Sequence, residues 1–165
     1  ILVDAVRRGQ ARRLRSVLDR MVIESSDEAA NAVLASLGGG SGERGAALVT
    51  QTMRDLGLTR SLVRRPYLTE DARRPLPIEA GAAPALFTNF ISTPFELARL
   101  MVAVHRGAAG RGGVARLGIG ARAARAELLA RLIDTRDGSK LVAGVPRYVP
   151  VAHKTGYTEE VKHDA

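Results

Sequence analysis

The sequence predicts an α+β protein in which a long helical part precedes one or two strands at the carboxyl end. Apolar residues recur at helical spacing over much of residues 1–134, several of these segments start at a helix-capping residue, and a β-like phrase occurs near the end. The chain has 165 residues, enough for a single domain with a substantial core. It has neither internal repeats nor a convincing domain boundary.

Three helices are predicted before residue 58. Helix-favouring sequence covers 1–23, 27–37 and 42–56. Ser26 or Asp27 can cap the second helix and Ser41 the third, because their side-chain oxygens accept from backbone N–H groups that the helix leaves unpaired. The glycines at 38–40 and Gly57 end these two helices.

Residues 58–92 form a long loop in this prediction. Four prolines forbid a long helix, and the apolar residues show no strand-like alternation. A loop of this length inside one domain is more often functional than not.

Two helices are predicted after the loop. Thr93 and Pro94 open the first, which Gly107 closes. A glycine-rich connector over 107–120 leads to the second, over 121–134. The positions of the first helix that are expected to face inward are Phe95, Leu97, Ala98, Leu100, Met101 and Val104.

Residues 146–165 are the predicted strand region of the domain, after the helical part over 1–145. Residues 148–157 read Tyr-Val-Pro-Val-Ala-His-Lys-Thr-Gly-Tyr, a composition that favours β-structure. A partner strand is predicted to begin at Val161, after a turn at 158–160.

The charge pattern argues against a nucleic-acid partner. The net charge of +8 comes mostly from arginines scattered along helical segments, and the six aromatic residues do not interleave with them as base stacking requires. The chain has no cysteine, and its three histidines lack further ligands at a plausible spacing. No apolar run reaches the roughly 18 residues of a membrane span. We therefore expect no metal, no cofactor, no nucleic acid and no membrane span in this chain.

Two phrases contain residues suited to chemistry. Residues 21–31 end in Ser-Ser-Asp-Glu-Ala-Ala-Asn at a predicted helix start, and residues 153–156 read His-Lys-Thr-Gly on the predicted strand. Taken alone, each has a simpler interpretation: the serines and Asp27 cap a helix, and Lys154 is a solvated strand lysine. Their occurrence together favours a shared site.

Together the two phrases resemble those of class A β-lactamases and penicillin-binding proteins. In these serine enzymes a Ser-x-Asn turn precedes a helix that begins with Ala-Ala-Asn, and Lys-Thr-Gly lies on a strand. Residues 89–101 are similar to the family's helix after its long loop, so the resemblance covers nearly the whole chain. It implies a helical lobe packed against an antiparallel sheet, of which this chain holds an incomplete domain. It also implies hydrolysis of β-lactams or related acyl-amides through an acyl-enzyme.

The resemblance assigns roles to residues of both phrases. Ser25 is the serine that relays a proton to the departing amide nitrogen, and Lys154 is its cationic neighbour. Lys154 also attracts a substrate carboxylate, which the Thr155 hydroxyl binds, while Gly156 lets the substrate approach closely. Asn31 has a structural role and ties loop backbone to the helix.

Three positions depart from the family pattern. No Ser-x-x-Lys precedes Ser25, so we expect the nucleophile to lie upstream of Ile1 and this chain to be inactive alone. Asp27, a substrate-binding position, replaces an Asn that donates and accepts hydrogen bonds, whereas an ionised acid only accepts. The loop over 58–92 lacks the Glu-x-x-x-Asn phrase of class A enzymes, and Glu70 is the candidate for the base that hydrolyses the acyl-enzyme.

These departures leave two alternatives open. A D-alanyl-D-alanine carboxypeptidase or penicillin-binding protein would share the site but hydrolyse its acyl-enzyme slowly. A catalytically silent cell-wall-binding relative would lack Ser-x-x-Lys in the complete protein as well. The resemblance further implies a small-molecule β-lactam or D-alanyl peptide as the ligand, a monomer, and a location in the periplasm or outside the cell.

Overall fold

The computed structural model describes residues 1–67, 90–138, 140–157 and 162–165. This part is mostly helical with two small antiparallel strand pairs, so the predicted α+β class is confirmed. The helices are α1 Leu2–Arg7, α2 Arg15–Ile23, α3 Asp27–Leu37, α4 Gly42–Asp55, α5 Pro94–Ala108, α6 Gly112–Arg116 and α7 over 121–133, whose middle stretch Ala124–Leu129 is π-helical; a short 3-10 helix covers Leu141–Gly144. The strands are β1 Leu62–Val63, β2 Phe90–Ile91, β3 Thr155–Tyr157 and β4 Lys162–Asp164. Within the described ranges no helix is long and apolar enough to cross a membrane.

Helix α3 packs against both α2 and α4 in the amino-terminal half. Its inner face includes Val33 and Leu34, which are fully buried. Burying side chains of this size contributes about 1.5–3 kcal/mol each. Helix α4 approaches α3 closely at Gly45, where a Cβ would lie 1.9 Å from the carbonyl oxygen of Leu34. The close packing holds the start of α3, and with it one side of the candidate site, in a fixed place.

The predicted helix starts are confirmed. Ser26, Ser41 and Thr93 each accept a hydrogen bond from the backbone N–H three residues further on, at 3.1, 3.2 and 3.2 Å. These contacts satisfy N–H groups that have no partner within the helix. Helix α3 ends at Gly38 as predicted, and Gly57 follows α4 with a left-handed φ of +78°.

The prediction of one helix over 1–23 is wrong, because a break separates α1 from α2. Gly9 adopts a φ of +68°, a conformation that glycine enters without a steric penalty. The break is held from α3, where the Ser36 hydroxyl donates to Oε1 of Gln10 at 3.0 Å. A local turn at Gly9, closed by the N–H of Gln10 donating to the carbonyl of Ala5 at 2.9 Å, therefore ends α1 despite the apolar periodicity.

Helix α5 differs from the prediction at both ends. Phe95 is 70% exposed, and Ala98 is exposed as well. Phe95 lies in the first turn, where the guanidinium of Arg99 sits over its ring at 5.8 Å. Gly107 does not end the helix, which continues for one more residue. It packs against Val114, and a Cβ would lie 2.7 Å from that side chain.

The strands are shorter than the sequence pattern indicates. β1 and β2 pair antiparallel within the predicted loop, but two residues each are too few to show an alternation. Of the β-like phrase over 148–157 only its last three residues form a strand, β3, which pairs antiparallel with β4. Pro150 has no N–H to donate to a neighbouring strand, which disfavours an earlier start.

Candidate functional site

The turn between α2 and α3 presents Ser25. Among the described residues Ser25 is the one non-glycine with a positive φ, +59°. Two hydrogen bonds of Ser26 fix the turn: its N–H donates to the carbonyl of Arg20 at 3.1 Å, and its Oγ accepts from the N–H of Ala29 at 3.1 Å. The left-handed conformation costs an L-residue roughly 1–2 kcal/mol. Ser25 is nevertheless exposed, so its hydroxyl is available to a ligand.

Lys154 joins the second phrase to the first. Its Nζ donates to Oγ of Ser25, 129 residues away in the sequence, and to the carbonyl oxygen of Thr155 at 2.8 Å. A lysine ammonium has three donors and no acceptor, so the Ser25 oxygen must be the acceptor in this contact. Ser25 can then use its own proton for a different acceptor.

Backbone contacts on two sides hold Lys154. Its N–H donates to the carbonyl of Ala165 at 2.8 Å, and its carbonyl accepts from the N–H of Ala165 at 3.2 Å. The preceding residue, His153, is buried, and its N–H donates to the carbonyl of Leu132 in α7 at 3.1 Å. Nδ1 of His153 lies 3.0 Å from Oδ1 of Asp164 in β4. Lys154 is therefore held on one side by Ala165, the residue that follows β4, and on the other, through His153, by α7.

The charges around Lys154 act on its ammonium in both directions. Partial burial lowers the pKa of Lys154 below its ordinary value, because the charge is less well solvated there. The carboxylates of Asp137, Asp164 and Asp27 oppose this shift, whereas the ammonium of Lys140 adds to it. Lys140 and Asp137 also form an ion pair at 2.8 Å. The lowered pKa makes Lys154 a better proton donor than an ordinary lysine.

Asp27 lies at the first position of α3, two residues after Ser25. Burial raises the pKa of its carboxyl group, Glu28 raises it further, and Lys154 lowers it. Within the described part of the chain, this carboxylate makes no hydrogen bond or ion pair. Asp27 is thus an acceptor at the site without a partner from the described protein.

Thr155 and Gly156 follow Lys154 along β3. Thr155 is buried, 7% exposed, and stands opposite Asp164, while Gly156 stands opposite His163. The structure thus brings Ser25 and Lys154 into contact and places the other two strand residues beside them. The substrate-binding roles of Thr155 and Gly156 stay predictions.

Asn31 connects the site to the loop after β1. Its Nδ2 donates to the carbonyl of Tyr67 at 2.8 Å, and its Oδ1 accepts from the N–H of Tyr67 at 2.6 Å. The ring of Tyr67 stacks on Phe90 with centroids 4.0 Å apart. Burial raises the pKa of the Tyr67 phenol, and the carboxylate of Asp27 raises it further, so these two side chains are near one another. Tyr67 could not be identified from the sequence, because the expected contact between Asn31 and loop backbone does not indicate which loop residue takes part.

Nearly the whole chain matches a family model. The model of the β-lactamase enzyme family covers residues 3–165. The chain belongs to the β-lactamase enzyme family. The predicted resemblance is therefore confirmed, and membership relates the chain to serine hydrolases that act on β-lactams, which are small molecules. Searches of curated proteins and of solved structures gave no match.

Residues 58–67, the described start of the long loop, contain no aspartate or glutamate. Glu70, the candidate base, lies outside the described residues. The described residues also contain no group of three or more histidine, aspartate and glutamate side chains arranged to hold a metal ion.

Proposed function

We propose that the protein is a serine hydrolase of the class A β-lactamase type that opens β-lactams or related acyl-amides through an acyl-enzyme. The contact between Ser25 Oγ and Lys154 Nζ is the observation that carries this proposal. It joins two phrases that are each ambiguous alone and that the family chemistry requires together. Residues 1–165 contain no Ser-x-x-Lys, so the proposal assigns the nucleophilic serine to another part of the protein and expects this chain alone to be inactive.

In the proposed reaction Ser25 delivers a proton to the departing nitrogen. The nucleophilic oxygen bonds to the acyl carbon, the bond from that carbon to nitrogen breaks, and the nitrogen takes the Ser25 proton. Lys154 then returns a proton to Ser25, and the proton released by the nucleophile restores Lys154. The direction of the Lys154 contact suits this order, because Ser25 accepts from the ammonium and so can donate to the substrate.

The Lys154 end of the site suits a carboxylate on the leaving part of the substrate, which is the part that carries the departing nitrogen. The ammonium of Lys154 offers a charge-assisted hydrogen bond, and the proposal gives Thr155 the second donor. Gly156, which has no side chain, would let the substrate lie along β3.

The loop supplies an observation that favours the second candidate function. Residues 58–92 contain no Glu-x-x-x-Asn phrase, so the loop lacks the base that activates water at the acyl-enzyme in class A enzymes. Slow hydrolysis of the acyl-enzyme formed with penicillin is characteristic of a D-alanyl-D-alanine carboxypeptidase or penicillin-binding protein. The proposed location, in the periplasm or outside the cell, and the proposed monomeric state fit both functions.

Time-resolved mass spectrometry of the full-length protein mixed with benzylpenicillin tests the proposal. We expect the protein to gain the mass of the drug, and the lifetime of the adduct separates a lactamase from a penicillin-binding protein.

Ser25→Ala should slow formation of the adduct about 100-fold or more, the usual contribution of a positioned proton donor. Ser26→Ala, one residue away, should slow it less than about tenfold, because it removes only a helix cap. If neither the protein nor the drug changes over hours, the hydrolase proposal fails and the catalytically silent relative is favoured.

A further inference from the structure

The described charged groups around Lys154 do not sum to a positive charge. Among the described residues, the charged groups that act on Lys154 are the ammonium of Lys140 and the carboxylates of Asp27, Asp137 and Asp164. Together with Lys154 itself, these are two ammonium groups and three carboxylates. The balance is one negative charge. A pocket built only to attract anions would have the opposite sign.

Two of the three carboxylates are occupied by protein groups. Asp137 pairs with Lys140 at 2.8 Å. Asp164 is buried, with Oδ1 3.0 Å from Nδ1 of His153 and Oδ2 accepting from the N–H of Leu141 at 3.2 Å. Their charges are thus largely satisfied within the protein.

The third carboxylate, that of Asp27, is the one left for a ligand. No described residue forms a hydrogen bond or ion pair with it, and its side chain is partly exposed beside Ser25. Burying such an acceptor under a substrate without a donor would cost about 1–3 kcal/mol or more. An ionised carboxylate has no hydrogen to offer, so a fitting substrate group must donate.

We propose that Asp27 selects acyl donors that carry a protonated amine on the acyl part, close to the bond that is broken. This inference rests on the proposed function, which gives the Lys154 end of the site to the carboxylate of the leaving part. The amine therefore belongs to the acyl part, near the start of α3. An ammonium meets a carboxylate with a charge-assisted hydrogen bond, which is about twice as strong as a neutral one. A carboxylate at the same place on the substrate would meet repulsion.

Three penicillins with the same ring system test this preference. Ampicillin has an ammonium group on the α carbon of its side chain, benzylpenicillin has hydrogen there, and carbenicillin has a carboxylate. We expect the full-length protein to be acylated fastest by the first and slowest by the third. In Asp27→Asn the ratio of ampicillin to carbenicillin rates should fall by about 10- to 100-fold, the ratio expected for a lost hydrogen bond between charged groups. Comparing ratios between proteins removes the different intrinsic reactivities of the drugs.

Glu28→Gln is the matched control, because it removes the same charge one residue further along α3. The Glu28 carboxylate is exposed and accepts from the Ser26 hydroxyl at 2.9 Å. In Glu28→Gln we expect the ratio of ampicillin to carbenicillin rates to stay within about threefold of the ratio in the unmodified protein, because an exposed charge interacts weakly in water. Benzylpenicillin, the neutral probe, reports whether Asp27→Asn is folded and competent.

The outcomes separate this inference from the proposed function. One outcome overturns the inference alone. All three drugs acylate the protein, and the ratio of ampicillin to carbenicillin rates is the same in the unmodified protein and in Asp27→Asn. Equal changes in Asp27→Asn and Glu28→Gln overturn it too, because the preference would then come from the general field of the helix start. If no drug acylates the full-length protein, the proposed function fails and this inference fails with it.

Discussion

The two sides of the candidate site are held by different kinds of contact. On the helical side, Ser25 lies in a turn whose hydrogen bonds reach residues at most six positions away, Arg20 and Ala29. On the strand side, Lys154 depends on Leu132 in α7, through His153, and on Ala165, which follows β4. The turn on the helical side is fixed mostly by contacts within a few residues, although the N–H of Arg136 also donates to the carbonyl of Ile23 at 3.3 Å. The strand side exists only when distant parts of the chain have packed together.

This difference indicates how each side should respond to damage. A local turn keeps much of its conformation when one contact is lost, because its remaining bonds lie within the same few residues. The strand side has few residues in regular pairing, so a buried charged contact carries a larger share of its stability. Three substitutions test this comparison, in order of decreasing effect.

The largest effect is expected from Asp164→Asn on the strand side. The change removes a buried carboxylate that both His153 and the N–H of Leu141 contact. We expect the free energy of unfolding to fall by about 2–4 kcal/mol, because a buried charged hydrogen-bond partner is lost. Urea denaturation of the full-length protein measures this. A loss below about 0.5 kcal/mol, the size of an ordinary surface substitution, would show that the strand side does not depend on this contact.

A smaller effect is expected from Ser26→Ala on the helical side. It removes the N-cap of α3 and should lower the free energy of unfolding by about 1 kcal/mol. Ser41→Ala is the matched control, because Ser41 caps α4 in the same way but far along the chain from Ser25. Urea denaturation should give a similar loss for both variants, and acylation should slow only in Ser26→Ala. Equal acylation rates in the two variants would indicate that the turn holds Ser25 without its cap.

The smallest effect concerns the pH dependence of acylation. Lys140→Gln removes a cation that lowers the pKa of Lys154, so this pKa should rise. If protonated Lys154 is the active form, acylation persists below its pKa and is lost as the pH rises through it. The alkaline limb of the pH–rate profile should therefore move to higher pH in Lys140→Gln. Arg136→Gln removes an exposed cation that pairs with Glu24, and its alkaline limb should stay in place. A shift to lower pH in Lys140→Gln would contradict the assignment to Lys154.

The same contrast explains what could be predicted from the sequence. The starts of α3, α4 and α5 were predictable because Ser26, Ser41 and Thr93 act on N–H groups three residues away. The break after α1 was not predicted, because the apolar periodicity continues past Gly9, whose left-handed φ of +68° ends the helix.

Part of the candidate site was predictable only by resemblance. No periodicity or cap indicates that Ser25 and Lys154 would meet, and their pairing was expected because two phrases of one family occur in order. Tyr67 could not be predicted even so. Tyr67 is placed near Asp27 by its two hydrogen bonds with Asn31 and by the stacking of its ring on Phe90. These are tertiary contacts, and neither periodicity nor capping residues near Tyr67 indicate them.

The backbone of Ser25 has a consequence for how this protein can be made more stable. Glycine would suit the φ of +59° better than serine and would favour the folded turn. Selection for heat resistance alone would therefore tend to replace Ser25 with glycine and delete the hydroxyl that contacts Lys154. Thermal tolerance and activity are in conflict at this single position, so any stabilised variant should be screened for function before residue 25 is allowed to change.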